Sequence, residues 1–285
     1  MSFEVTGSSI IKRIEEDIQD SELRFNPLKY NSSLSSHKKT CSLVVPAYNE
    51  EARITPFLED ISENLPNDWE IIIICDGNDR TADIARSFGE RFMVIEYDHK
   101  LGKGGAILEG FSKAKGEIVG YVDADGALGS YDIMRVFSKV SSQFPVAIAS
   151  RYVWGSNIIE KQTFLRILLG RLYHYTTFAI LGLRHKDTQC GLKAYTKDTI
   201  NVIRSRMKLT NLSVDTAILY HCKLLNLRVV EVPVRWRNVG GSKFKPFKTA
   251  FLMFVTLVGL RMAHSKKAER LKKIFLELHE ASKDF

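Results

Sequence analysis

The chain has 285 residues, 45% of them hydrophobic and 26% charged, with only 18 glycines and 7 prolines. That length suits one large α/β domain or a core with appended segments, and the composition excludes a fibrous, low-complexity or wholly disordered protein. The net charge of +8 is concentrated, because eleven Lys/Arg and one acidic residue, Glu269, stand between Arg235 and Lys273. Such a window suits phosphate, whether on a lipid surface, a nucleic acid or a small ligand.

Residues 1–39 read as an extension. Ile10, Ile11, Ile14 and Ile18 recur at helical spacing, and a polar run over 31–39 follows as a linker. Residues 1–20 lack the apolar stretch of a secretory signal. The most apolar stretch, Ala250 to Leu260, has 11 residues, whereas a bilayer span takes about 20. No transmembrane helix is expected. Cys41, Cys75, Cys190 and Cys222 form no C-x-x-C pair, which argues against a zinc ribbon or a disulfide framework and for thiols kept reduced.

From Cys41 short β-branched runs alternate with amphipathic segments. CSLVVP (41–46), EIIIIC (70–75), FMVIEY (92–97) and IVGYVD (118–123) predict strands, with helices near 50–64, 80–90, 103–115 and 131–142. Near-continuous apolar strands separated by helices predict a mostly parallel sheet covered on both faces. Ligands of such sheets bind beyond the carboxyl ends of the strands. Three polar clusters sit there: 46–50, 76–79 and Asp123-Ala-Asp125. They are expected to converge on one cleft. In the second half, a long segment over 161–183 mixes apolar residues with Arg166, Arg171 and His174. A strand over 229–234 precedes Arg235-Trp-Arg237, and an apolar stretch, 247–260, leads into a basic helix from Lys266.

Asp123 and Asp125 leave a strand at i and i+2, so their side chains point the same way. A hard divalent cation relieves their repulsion, and Mg²⁺ favours one or two carboxylates plus a substrate's phosphates. The alternative is a turn with two solvated aspartates. Leu101-Gly-Lys-Gly-Gly-Ala106 is glycine-rich and opens a helix, which suits anionic oxygens with Lys103 as counter-charge. It matches neither the P-loop nor the dinucleotide fingerprint.

Taken in order, VVPAYNEE (44–51), CDGNDRTADIA (75–85), LGKGGA (101–106), DADGA (123–127), ASRY (149–152), DTQCGLKAYT (187–196), Asp215 and RNVGGSK (237–243) resemble the family-2 glycosyltransferases of GT-A fold. Within them the chain is most similar to the dolichyl-phosphate sugar synthases, and to the glucose branch more than the mannose branch. The resemblance covers roughly residues 41–260. It implies a catalytic domain over 40–245, with a nucleotide-sugar half (40–150) and an acceptor half (151–245), followed by an interfacial, basic helical segment over 246–285.

The resemblance also implies roles. Pro46, Tyr48 and Glu50 line the nucleotide base and ribose, Asp76 hydrogen-bonds the base, and Lys103 lies by the sugar or diphosphate. Asp123 faces the ribose and sugar, while Asp125, with Asp123, holds Mg²⁺ or Mn²⁺. Arg151 and Arg166 bind the acceptor phosphate. Arg237 and Lys243 belong to a loop that closes over donor and acceptor, and Asp215 occupies the place of a catalytic carboxylate. Two departures stand out. Asp76 sits in C-D-G-N-D, one residue shorter than the family's D-D-G-S-x-D, and Ala127 stands where mannose synthases often carry Gln.

The implied reaction is inverting transfer of a hexose, glucose from UDP-glucose, to dolichyl or another polyprenyl phosphate. A lipid phosphate is already anionic near neutral pH, so Asp215 serves as a base only for a neutral hydroxyl acceptor. Ile167–His174 and 247–260 would touch a membrane from its cytoplasmic side, or else serve as core or oligomer contacts. GDP-mannose is the alternative donor. A sugar nucleotidyltransferase lacks its G-x-G-x-R signature here. A non-catalytic sugar-nucleotide binder sits poorly with Asp123, Asp125, Arg237 and Lys243 all present. No nucleic-acid partner is expected, because the basic window carries no recognised nucleic-acid-binding motif.

Overall fold

The computed structural model describes residues 40–160, 164–207, 213–239 and 246–264, the side chains of 164–166 and 246–252 excepted. The predicted strands form as β1 (Cys41–Ala47), β2 (Glu70–Cys75), β3 (Phe92–Glu96) and β4 (Ile118–Val122), joined by helices α1 (Ile54–Asn64), α2 (Thr81–Arg86) and α3 (Gly102–Lys113). Then follow α4 (Ser130–Phe137), β5 (Val146–Ser150), the short β6 (Asn157–Ile158) and α5 (Phe164–Leu181). The chain goes on through β7 (Leu192–Thr196), α6 (Lys197–Arg206), α7 (Val214–Leu224), β8 (Val229–Pro233), β9 (Arg235–Trp236) and α8 (Pro246–Ala263).

Seven strands make one sheet in the order β3-β2-β1-β4-β7-β5-β8, and β6 pairs with β9 in a separate two-stranded ribbon. Alternation sorts the core into two faces. Leu43, Val45, Ile71 and Ile73 pack under α1, α2 and α4. Val44, Ile72 and Ile74 pack with Ala106, Ile107 and Phe111 of α3 and with α6 and α7 on the other side. Ile71 to Ile74 are fully buried, at about 1.5–3 kcal/mol each. A strand with both faces covered needs that unbroken apolar run.

One strand departs from the parallel pattern. β7 runs antiparallel to both β4 and β5 and lies between them. An antiparallel strand brings its beginning, not its end, to the rim where β1, β2 and β4 finish. The loop 187–191 is thereby delivered to the same edge as the D-x-D pair, and the Gly191 carbonyl accepts from the Asp123 N–H at 2.9 Å.

The four cysteines are buried free thiols. Among the described residues no helix is long and apolar enough to cross a membrane.

Candidate active site

The three strand-end clusters converge as expected. After β1 the chain turns through Asn49, whose φ of 55° places it in the left-handed region. Its side-chain oxygen accepts from the Asn78 N–H at 2.8 Å. A Cβ on Gly77 would lie 2.2 Å from that oxygen, so glycine is what lets the first two loops touch. Glu50 donates its N–H to Thr81 Oγ1 at 2.8 Å, tying the first loop to the start of α2. Its carboxylate is held by Arg53 Nε and, at 2.8 Å, by Arg53 Nη2. That carboxylate, and behind it Asp125 and Asp123, raise the Arg53 pKa against the lowering effect of burial. Arg53 is thus spent chiefly on Glu50, with the D-x-D pair as a lesser influence. No motif singled it out.

Pro46 lies in β1 opposite Ile74. Tyr48 is exposed, with Lys100 Nζ 3.7 Å from its ring centre. Asp76 is buried, and its Oδ2 accepts from the N–H groups of Leu101 and Gly102 at 2.9 and 2.8 Å. The carboxylate expected at the base thus also anchors the glycine-rich turn that opens α3.

That anchoring positions Lys103. Its Nζ lies 2.8 Å from Asp123 Oδ1 and 3.0 Å from Asp123 Oδ2, and 3.0 Å from Asp215 Oδ2. Burial pulls the Lys103 pKa down, but the two carboxylates more than offset this and raise it, so the ammonium stays charged. Asp123 is shifted upward, first by its withdrawal from water and then by Asp125 and Asp215, with Lys103 opposing. Asp215 is shifted down. Burial would raise it, but Lys103 and Lys193, together with the Tyr121 hydroxyl, outweigh that cost. Lys193, fully buried on β7, also donates to the Cys190 carbonyl at 2.8 Å.

Asp125 Oδ1 accepts from the Ala127 N–H at 3.0 Å, which turns the carboxylate back over its own loop. The Ala127 carbonyl accepts from the Arg237 N–H at 3.0 Å, bringing the loop after β9 to the D-x-D turn. Arg151 is bound bidentately by Asp187, Nε to Oδ2 at 2.7 Å and Nη2 to Oδ1 at 2.9 Å. Its guanidinium lies 5.4 Å from the rings of Tyr152 and Trp236. Arg166 lies in the first turn of α5, its side chain outside the described residues, and Lys243 lies outside them altogether.

Among the described residues no three His, Cys, Asp or Glu side chains form a metal cage. Among the described residues Asp123 and Asp125 would form the donor set. It fits a hard cation completed by a ligand's own phosphate oxygens, the habit of Mg²⁺ and its analogue Mn²⁺.

Paired carboxylates at a strand end, flanked by Lys103, Arg53 and the Arg237 loop, suit a transferase whose leaving group carries negative charge. Residues 42–204 match the family described as Glycosyl transferase family 2, and the chain belongs to that family. It is a glycosyltransferase similar to the dolichyl-phosphate beta-glucosyltransferases. It is 32% identical over 244 residues to that of Dictyostelium discoideum, covering 78% of this chain and 74% of that protein. To that of Drosophila melanogaster it is 33% identical over 260 residues, covering 80% and 79%. Its fold is that of glucosyl-3-phosphoglycerate synthase from Mycobacterium tuberculosis in complex with Mn²⁺, uridine diphosphate and phosphoglyceric acid. The TM-score is 0.63 at 16% identity over 84% of each chain.

Proposed function

We propose that this transferase moves glucose from UDP-glucose to the phosphate of dolichol or a related polyprenol at a membrane surface, with Mg²⁺ or Mn²⁺ at Asp123 and Asp125. The likeness to dolichyl-phosphate beta-glucosyltransferases over about four-fifths of the chain carries this reading. In the reaction a phosphate oxygen of the acceptor attacks the anomeric carbon, the bond from that carbon to UDP breaks, and UDP departs with the electron pair, inverting the centre. The cation supplies Lewis-acid neutralisation of the departing diphosphate. Lys103 adds charge beside the sugar and diphosphate, and Arg237 closes over them. Arg166 orients the acceptor phosphate, since guanidinium matches its oxygens bidentately, while Arg151, whose Nε and Nη2 are held by Asp187, has only Nη1 left to offer it. Tyr48, Glu50 and Asp76 receive the base and ribose.

The acceptor's lipid character has a counterpart on α5. Leu168, Leu172, Tyr175 and Phe178 recur at helical spacing and are all about half exposed or more. From 161 to 186 the sequence has five Lys/Arg and no acidic residue. An apolar face edged by cations suits the headgroup region of an anionic membrane. Trp154, 96% exposed, adds an aromatic ring of the kind that seats at that depth.

The test is to incubate the protein with Mn²⁺ or Mg²⁺, polyprenyl phosphate and either UDP-glucose or GDP-mannose, and to read the lipid product by mass. A hexosyl-phosphoryl-polyprenol from UDP-glucose is expected. Product from GDP-mannose alone would move the chain to the mannose branch, and no lipid product from either donor would overturn the acceptor.

A further inference from the structure

Four side chains of alternating charge run in line from the sheet interior to the D-x-D pair. Lys193, with no exposed surface, donates to Asp215 Oδ1, and the Tyr121 hydroxyl donates to the same oxygen. Asp215 Oδ2 faces Lys103, which divides its charge between Asp215 and both oxygens of Asp123. Both oxygens of Asp215 are thus committed inward, and its side chain is 2% exposed. That geometry suits orientation of neighbours, not proton abstraction from an acceptor.

Burying a lysine and an aspartate, Lys193 and Asp215, is costly, and apolar side chains of like volume would serve stability at least as well. The arrangement is explained by what it does to Lys103. A lysine with Asp123 as its sole carboxylate would spend its whole charge there and compete with any cation for that carboxylate. Sharing with Asp215 loosens that hold. Lys193 in turn keeps Asp215 from drawing Lys103 away altogether, which would leave Asp123 and Asp125 to repel each other unrelieved.

We propose that Asp215 and Lys193 are positioning residues that meter the grip of Lys103 on Asp123 and so set the affinity of the D-x-D pair for its cation. The inference rests on the metal reading given under the proposed function.

Mn²⁺ alone is titrated into the full chain and its free signal followed by electron paramagnetic resonance. The variants are Asp215→Asn, Lys103→Met, the double variant and Lys193→Met. Asp215→Asn should weaken Mn²⁺ binding about tenfold, and that weakening should vanish in the Lys103→Met background, a coupling of the size usual for contacting residues. Lys193→Met should tighten binding. A merely structural Asp215 would weaken binding equally in both backgrounds, and that additive result overturns the proposal, as does unchanged binding in Asp215→Asn. If Asp215→Asn does not fold, Lys193→Met decides, and unchanged or weaker binding there overturns the relay. Glucose transfer by the unsubstituted chain is read separately. An additive cycle in an active enzyme removes the relay and leaves the function. A coupled cycle in a chain that transfers nothing does the reverse, and a chain that takes up no Mn²⁺ yet transfers glucose also removes the relay.

Discussion

Gly191→Ala separates the site from the fold. A Cβ at 191 would lie 2.0 Å from Asp123 Oδ2 and 2.4 Å from its Cγ, where ordinary contact begins near 3.4 Å. The Gly191 carbonyl is tied to the Asp123 N–H at 2.9 Å, so the backbones cannot part cheaply and the carboxylate must swing by about 1.4 Å. A displacement of roughly 1 Å in a positioned group costs on the order of 10²-fold in rate, so transfer should fall about a hundredfold and Mn²⁺ binding should weaken with it. Stability should barely move. The Lys103–Asp123 pair is partly open to solvent, which holds its contribution to about 1 kcal/mol or less. Replacing glycine, whose φ here is not in the left-handed region, restrains the unfolded chain by about 0.4–1 kcal/mol in the opposite sense. The melting temperature should stay within about 4 °C. Transfer assays, Mn²⁺ titration and thermal unfolding on one preparation provide the check. Full activity in this variant would refute the placement of Asp123 in the site, and a collapse of the melting temperature would refute the separation of site from fold.

Asp125→Asn should abolish transfer even at saturating metal, measured as product per enzyme over several hours, because a neutral amide cannot replace the carboxylate beside the diphosphate. The double substitution Leu172→Ser with Tyr175→Ser should lower co-sedimentation with anionic vesicles at least severalfold while leaving the melting temperature unchanged, since both side chains are exposed. Acid should destabilise the fold through His221, which burial holds at a pKa of about 4. The unfolded chain takes up that proton near pH 6.5, so stability is full above that pH, declines as pH falls, and has lost about 3 kcal/mol by pH 4. Urea midpoints from pH 7 to 4 should show this decline in the wild type and a flatter one in His221→Phe.

The clusters after β1, β2 and β4 were legible because their residues follow apolar runs that only strands explain. Ile71 to Ile74 mark β2 unmistakably, and the rule for parallel sheets then ranks Asp76 and Asp123 without any structure. β5 and β7 were not legible. β5 reads VAIAS, too short and too rich in alanine to stand out. β7 reads LKAYT, and its lysine suggests a solvated edge until Asp215, 22 residues later, is seen to neutralise it. Gly191 and Arg53 gave no periodic signal at all. Gly191's role comes from its contact with Asp123, 68 residues earlier, which spacing along the chain does not encode. The partner of Arg151 is likewise 36 residues away.

The late place of β7 in the chain also governs the order of assembly during synthesis. β1 to β4 can pair as soon as they emerge, yet the free edge of β4 waits for a partner made roughly seventy residues later. At 5–20 residues per second that delay is about 4–15 s, during which an apolar ladder stands open to any passing strand. A fragment ending near residue 150 would keep that exposed flank permanently. It should aggregate, and cutting the chain near residue 150 should yield two insoluble pieces.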